Sequence, residues 1–314
     1  MKFYSKDLRI QYGETLVELG EKYNNVLVLD ADLCTSTMTS LFRERFPKRF
    51  IQCGIAEANM HGIAAGYAHM GYVVFPSTFA AFVCRKSVDP VYMNACLHNA
   101  PVKVSGSYPG LTAVECGASH NACEDIAIMS SLPNIKVLDP GDNIELNAAM
   151  HHMAAEPGAV YFRVSKGCMP MLFDRDYAFS WGKGRLLQEG KDITLISTGM
   201  MTAIAMKAAE SLAENDISAQ VVHMPSIKPI DAELIIACAK KTGCILTLEN
   251  ARAKGGLGSA VSDVVTENYP VYMEHLGLQE QIVGSDTIKV LLESYGLTPS
   301  EVVKSGMRLV KKKS

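Results

Sequence analysis

The stretch GIAEANMHGIAAGYAHMGY, Gly54 to Tyr72, runs on into FPSTFAAF, Phe75 to Phe82, and the chain is organised around it. A glycine and a short loop come first. Glu57 then stands at the opening of a helix filled with Ile63, Ala64, Ala65, Gly66 and Ala68. Small residues at helical spacing let another helix approach closely, so the pattern predicts a buried helix. Glu57 would then enter a low-dielectric place, where a carboxylate costs several kcal/mol unless it is paired or protonated. A plainer reading also stands: an acid favoured at the first turn by the helix dipole alone.

On the upstream side, residues 11–23 read as an amphipathic helix, and VLVLDAD, Val26 to Asp32, reads as a buried parallel strand ending in acids. Open α/β sheets bind ligands at such strand ends, so Asp30 and Asp32 are either site residues or loop caps. Leu41 to Phe46 is a short helix stopped by Pro47. Downstream, a strand over Tyr72 to Phe75 and a helix from about Phe79 to Leu97 lead to the strand VKVSG, Val102 to Gly106. The loop SYPGLTAVECGASHNACED, Ser107 to Asp125, follows. Loops of that length in compact domains are usually functional or disordered. With few charges and no low-complexity run, this one reads as functional. Further βα units take the chain to AVYFRVSK, Ala159 to Lys166. Residues 167–191 hold Pro170, Trp181 and several glycines without sustained periodicity and read as a linker. A second alternation of strands and helices begins at DITLIST, and strands alternating with helices indicate parallel sheets. The lysine-rich tail from Leu309 reads as solvated and frayed.

Composition narrows the class. The 314 residues are 48% hydrophobic and 20% charged, enough for two domains with large cores. A net charge of −3 gives no argument for nucleic acid or an anionic membrane. The opening MKFYSKDLRIQYGE is polar, and no apolar run reaches a membrane span. The nine cysteines include no CxxC pair, which suggests reduced thiols and a cytoplasmic location. The adjacent His151 and His152 do not share a helix face, so no metal pair is read there. KGGLGS, Lys254 to Ser259, opens a helix and is either an anion site or a set of packing glycines.

The order GIAE, STFAAF, GASHNACED, LPNIKVLDPGDN and KGGLGS resembles the transketolase family. More narrowly, it resembles the C-terminal half of a split transketolase, whose halves are separate chains. The resemblance spans nearly the whole chain and implies an α/β fold of two domains, each a mostly parallel sheet flanked by helices. A pyrimidine-binding domain would occupy residues 1–180, a linker 181–191 and a transketolase C-terminal domain 192–314.

The resemblance also implies roles. Glu57 matches the glutamate that hydrogen-bonds N1′ of the aminopyrimidine of thiamine diphosphate, a proton-transfer role suited to a buried carboxyl. Phe79 and Phe82 match aromatics packed around that ring, and Asp32 matches an acid near the cofactor. Arg85 stands where the family often has an aromatic beside the pyrimidine. His120 matches a histidine facing the donor's hydroxyls. Arg9, Ser36 and Lys166 fall near positions that bind the substrate's terminal phosphate. Lys166 replaces the usual arginine, turning a bidentate fork into a point charge. Tyr108 stands in place of a histidine at the substrate's reacting end, and Cys116 in place of an aspartate that reads a sugar hydroxyl. These two changes suggest a non-standard sugar. LENA, Leu248 to Ala251, replaces a common EEH in a domain expected to serve mostly assembly. The chain has no GDG of the kind that holds Mg²⁺ and the diphosphate. Those would come from an N-terminal partner subunit in an α2β2 assembly, with no metal held here. Two other readings share features with this one: the beta subunit of a 2-oxoacid dehydrogenase decarboxylating component, and a non-catalytic regulatory or scaffolding relative.

Overall fold

The computed structural model describes residues 3–279 and 284–313. Strand β1 (Phe3–Asp7) and helix α1 (Leu8–Lys22) open the chain, and β2 (Val26–Asp30) follows. Two short helices, α2 (Cys34–Thr37) and α3 (Ser40–Arg45), precede β3 (Phe50–Gln52). Helix α4 (Glu57–His69), β4 (Val73–Phe79) and α5 (Ala80–Lys86) carry the organising stretch. The chain turns through α6 (Val88–Pro90) and a π-helical segment, Val91–Cys96, to β5 (Lys103–Ser107). Helix α7 (Asp125–Ser131), β6 (Ile135–Leu138), α8 (Asn143–Ala154) and β7 (Ala159–Val164) complete the first run, and β8 (Cys168–Pro170) pairs with β1. The second run is β9 (Arg185–Gln188), β10 (Ile193–Ser197), α9 (Met201–Ala213), β11 (Ala219–His223), β12 (Ser226–Lys228), α10 (Ala232–Thr242) and β13 (Cys244–Arg252). It ends with α11 (Leu257–Asn268), β14 (Tyr272–Leu278), α12 (Ile288–Ser294) and α13 (Pro299–Lys313).

Two sheets carry the fold. The first has the order β12-β6-β7-β5-β4-β2-β3 and is parallel except for β12. The second has the order β14-β13-β10-β11-β9 and is parallel except for β9. Central strands such as Val26–Asp30 are buried on both faces, which is why they read as continuous apolar runs. Because β2, β3, β4, β5 and β7 run parallel, their carboxyl ends lie along one edge. Strand β12, from the second run, docks antiparallel on β6 and extends the first sheet.

Several expectations are corrected. The helix expected over Phe79–Leu97 breaks after Lys86. Pro90 has no N–H to give the Lys86 carbonyl and its ring crowds that turn, so the chain continues as α6 and the π segment. Phe79 is the last residue of β4, not the start of a helix. The stretch 181–191 read as a linker contains β9, which pairs with β11, and β8 lies within 167–191. The tail from Leu309 is not frayed through Lys313. It ends α13 with Leu309 buried, and Lys313 Nζ donates to the carbonyls of Asp192 and Thr242. Helix α4 is buried on one side only. Met60, His61, Ala64, Ala65 and Ala68 face the core, while Ala58, Asn59 and Gly66 are exposed.

Candidate active site

The carboxyl edge of the first sheet gathers most of the singled-out residues. At the end of β2, Asp30 is fully buried and accepts hydrogen bonds from Leu33 N (2.6 Å), Thr37 Oγ1 (2.8 Å) and Thr39 Oγ1 (2.9 Å). It is the loop cap, and it fixes the segment that carries Ser36. Asp32 is exposed beyond it, at φ 64°, with its N–H on Gln52 Oε1 at 2.8 Å.

Glu57 opens α4 and is 3% exposed. Both of its carboxylate oxygens lie 3.1 Å from Lys86 Nζ at the end of α5. The buried carboxylate is therefore paired, with a cation whose side chain stays about half exposed. One turn further along α4, His61 Nδ1 meets the Glu57 carbonyl at 2.7 Å. Burial pushes this imidazole down to about 4, so the neutral ring donates from Nδ1. Its buried Nε2 has no hydrogen-bond partner among the described residues.

Lys86 Nζ also lies 4.4 Å from the Phe82 ring, where an aromatic wall begins. Phe79 and Phe82 stack with centroids 5.7 Å apart and planes 22° from parallel. The His120 ring packs edge-on against both, at 5.9 Å and 5.2 Å. Tyr108 closes the wall at 4.4 Å from Phe79. Tyr108 follows β5 directly, and its positive φ of 58° swings the chain out of the sheet and into the long loop.

A polar group surrounds Tyr108. Arg9 Nη1 donates to the Tyr108 hydroxyl and, at 3.0 Å, to the Ser36 carbonyl. Asp7 holds the rest of the guanidinium, with Oδ1 on Nε at 3.0 Å and Oδ2 on Nη2 at 2.8 Å. Burial works against the Asp7 carboxylate, but the hydrogen bonds from Arg9 outweigh it and its pKa falls. Burial raises the Tyr108 hydroxyl even though Arg9 pulls the other way. Lys166 Nζ lies 5.7 Å from the Tyr108 ring. Arg9, Ser36, Tyr108 and Lys166 thus form one cluster, continuous through Phe79 and Phe82 with Glu57. Cys116 ends a turn of the same loop and is exposed. Arg85 turns its guanidinium onto the loop, contacting Glu124 and the carbonyls of Ala118, Ser119 and Asn121.

The second sheet reaches this loop. Asn250 Oδ1 accepts from Leu111 N at 3.1 Å, and Arg252 N donates to the Cys123 carbonyl at 2.7 Å. Gly110 lies against Asn250 so closely that a Cβ would collide with its carbonyl, and its φ of 58° excludes most side chains as well. The second run therefore helps shape the loop, beyond the assembly role expected for it. Below the loop, fully buried Arg163 binds Asp125 (Nη2–Oδ1 2.5 Å, Nε–Oδ2 2.8 Å), Asp139 (3.2 Å) and the Asn250 carbonyl (3.2 Å).

The glycine run KGGLGS does hold a carboxyl group, but an internal one. Leu257 N and Gly258 N, at the start of α11, donate to Glu249 at 2.9 and 2.8 Å. A Cβ on Gly256 would strike that carboxylate. His151 and His152 pair separately with Glu18 and Glu156, and no cluster of metal-ligating groups occurs among the described residues. No helix is long and apolar enough to cross a membrane among the described residues.

Sequence reading missed Lys86, because nothing in the sequence brings it to Glu57. It also missed Arg163, although an arginine inside the apolar strand AVYFRV was a usable signal.

Comparison with known proteins agrees with this architecture. Residues 5–171 match the transketolase pyrimidine binding domain, and residues 182–302 match the transketolase C-terminal domain. The chain is 37% identical to the 6-deoxy-6-sulfo-D-fructose transketolase subunit SqwH of Clostridium sp. (strain MSTE9), covering 98% of this chain and 95% of that one. It is 32% identical to an apulose-4-phosphate transketolase subunit of Phocaeicola vulgatus, with 97% of both chains covered. A solved split gene transketolase, described as an inactive beta4 tetramer, superposes with a TM-score of 0.92 at 40% identity, over 98% of this chain and 99% of the other. The chain is a member of the transketolase family and corresponds to the C-terminal subunit of a split transketolase, carrying the pyrimidine-binding and C-terminal domains.

Proposed function

We propose that this chain is the half of a thiamine-diphosphate-dependent transketolase that moves a two-carbon ketol unit from a ketose to an aldose, working only with its N-terminal partner. The observation that carries this reading is the unbroken row along the carboxyl edge: a buried acid, a wall of stacked aromatics, then a cationic cluster. The residues fit half of the cofactor. Glu57 offers a buried acid to a ring nitrogen, and Phe79 and Phe82 offer an apolar wall to a flat ring, with Asp32 at the rim. When bound, thiamine diphosphate supplies the electron sink for cleaving and forming the carbon–carbon bond. The chain has no GDG, so the diphosphate and Mg²⁺ are assigned to the partner. The exposed small residues of α4 leave a face for another chain, consistent with an α2β2 assembly.

On this reading Glu57 shares a proton with the cofactor ring. Lys86 holds the carboxylate until that ring arrives. His120 binds donor hydroxyls, and Arg9, Ser36 and Lys166 bind the substrate's anionic end. Tyr108 accepts from Arg9 and so keeps its own proton to donate. Cys116 offers a weak thiol where an acidic acceptor is expected. A substrate hydroxyl left without its acceptor in a closed site costs roughly 1–3 kcal/mol, about 5- to 150-fold in kcat/KM. We therefore assign a branched, deoxygenated, epimeric or sulfonated sugar in preference to an ordinary pentose phosphate. The two relatives named for 6-deoxy-6-sulfo-D-fructose and for apulose 4-phosphate are in keeping with this.

The test is a donor screen on the chain reconstituted with its partner, comparing xylulose 5-phosphate with branched and sulfonated ketoses. The screen is repeated with Cys116→Asp and Tyr108→His combined. A wild-type preference for a non-standard ketose, shifting toward xylulose 5-phosphate in the double variant, supports the assignment. Preference for xylulose 5-phosphate from the start, with no gain in the double variant, contradicts it.

A further inference from the structure

We propose that Arg85 is a positioning residue for His120: one guanidinium clamps the peptide carbonyls on both sides of that histidine and so sets where its ring stands. The inference rests on the reading of His120 as the donor-binding histidine.

Arg85 leaves α5 one turn after Phe82, so the clamp and the middle of the aromatic wall come from one helix, which Phe79 at the end of β4 precedes directly. Its Nη1 donates to Ala118 O at 3.3 Å and Ser119 O at 3.1 Å, and its Nη2 donates to Asn121 O at 2.8 Å. Its Nε meets Glu124 Oε1 at 2.5 Å, which fixes the fork's direction. Burial opposes the Glu124 carboxylate, yet the hydrogen bond from Arg85 brings its pKa below the usual range. The gripped segment lies outside any helix or strand, and Ala118 and Ser119 are exposed. What else holds it is local. His120 N and Asn121 N both donate to Gly117 O at 3.1 Å, Asn121 Nδ2 donates to the same oxygen at 2.9 Å, and Ser119 Oγ meets His120 Nδ1 at 2.8 Å. These contacts close a small turn on itself. Among the described residues, Arg85 and the edge contacts of His120 with Phe79 and Phe82 tie that turn to the junction of β4 and α5.

The residue type matters. A planar fork with several fixed donors can hold three carbonyls and a carboxylate together. A lysine could keep the ion pair with Glu124 but has no geometry for the rest. An aromatic at this place would pack on the wall and leave the turn unheld. Misplacing a substrate-binding group by about 1 Å can cost on the order of 10²-fold in rate.

The experiment uses the reconstituted pair with Arg85→Met and Arg85→Lys, each alone and combined with His120→Ala. Amide hydrogen exchange of residues 117–121 is read alongside donor kinetics. The clamp predicts at least tenfold faster exchange there in both Arg85 variants. It predicts a loss of about 10- to 100-fold in kcat/KM, carried mainly by donor KM, and the loss shrinks to within about twofold in the His120→Ala background. Unchanged exchange, additive losses, or full rescue by Arg85→Lys would overturn the proposal. A wild-type pair that exchanges normally but transfers no ketol unit would instead sink the functional reading, and the exchange data would still decide the clamp.

Discussion

Replacing Arg163 by methionine removes the cation that a buried site sets between two carboxylates. Arg163 is 1% exposed, and the Asp125 and Asp139 side chains are 0% and 4% exposed. Desolvation raises the pKa of Asp139, with the Arg163 charge pulling it back, so the guanidinium is what keeps that pair of acids tolerable. Breaking a buried pair by deleting one partner costs about 3–5 kcal/mol, against near zero when all members are replaced by apolar groups. Melting entropy of about 2.1 cal/mol/K per residue gives roughly 0.66 kcal/mol/K for a chain of this length, so Tm should fall by about 5–8 °C. Differential scanning calorimetry reads the shift and denaturant titration reads the free energy. Adding Asp125→Asn and Asp139→Asn to the Arg163→Met background should recover at least half of the loss. A single variant within about 1 kcal/mol of wild type would refute the claim that Arg163 is what keeps these two buried acids tolerable.

Two further predictions concern buried acids. Burial pushes Glu249 up to about 8 from 4.5, despite the two helix N–H groups that favour its charge. The folded chain therefore binds an extra proton between those values, and stability should fall as pH rises through that window, by up to about 1.4 kcal/mol per unit. Glu249→Gln should flatten the slope in denaturant titrations from pH 5 to 9, and an unchanged slope would assign it elsewhere. Lys86→Met leaves Glu57 buried and unpaired. Because the Lys86 side chain is about half exposed, the cost should lie between the surface and buried limits, about 1–2 kcal/mol by denaturant titration. A loss above 3 kcal/mol or a gain would contradict that placement.

The parts of the molecule that follow local rules were legible in the sequence. Apolar runs such as Val26 to Asp30 announce strands buried on both faces, and the alternation with helices announces parallel sheets. The place of Glu57 at a helix start followed from the glycine before it and the small residues after it. The ends of elements were less legible, because they depend on single backbone groups: Pro90 stops a helix that periodicity would have carried to Leu97. Contacts between distant segments were not legible. Lys86 meets Glu57 across 29 positions, and Asn250 meets Leu111 across 139. Neither pairing leaves a mark on either segment alone. Strand β9 was hidden for a related reason: as a short, partly exposed edge strand it carries little of the apolar pattern that marks a strand.

The measurement closest to the central claim is ketol transfer by the reconstituted pair, with thiamine diphosphate and Mg²⁺, for wild type and Glu57→Gln. The glutamine variant removes a buried charge and leaves Lys86 to solvent, so its fold should be retained and is checked by circular dichroism. The account predicts transfer by wild type only when both subunits are present, and a fall in kcat of about 10²- to 10⁴-fold in the variant. Turnover within tenfold of wild type in Glu57→Gln, or robust transfer by this chain without its partner, would contradict it.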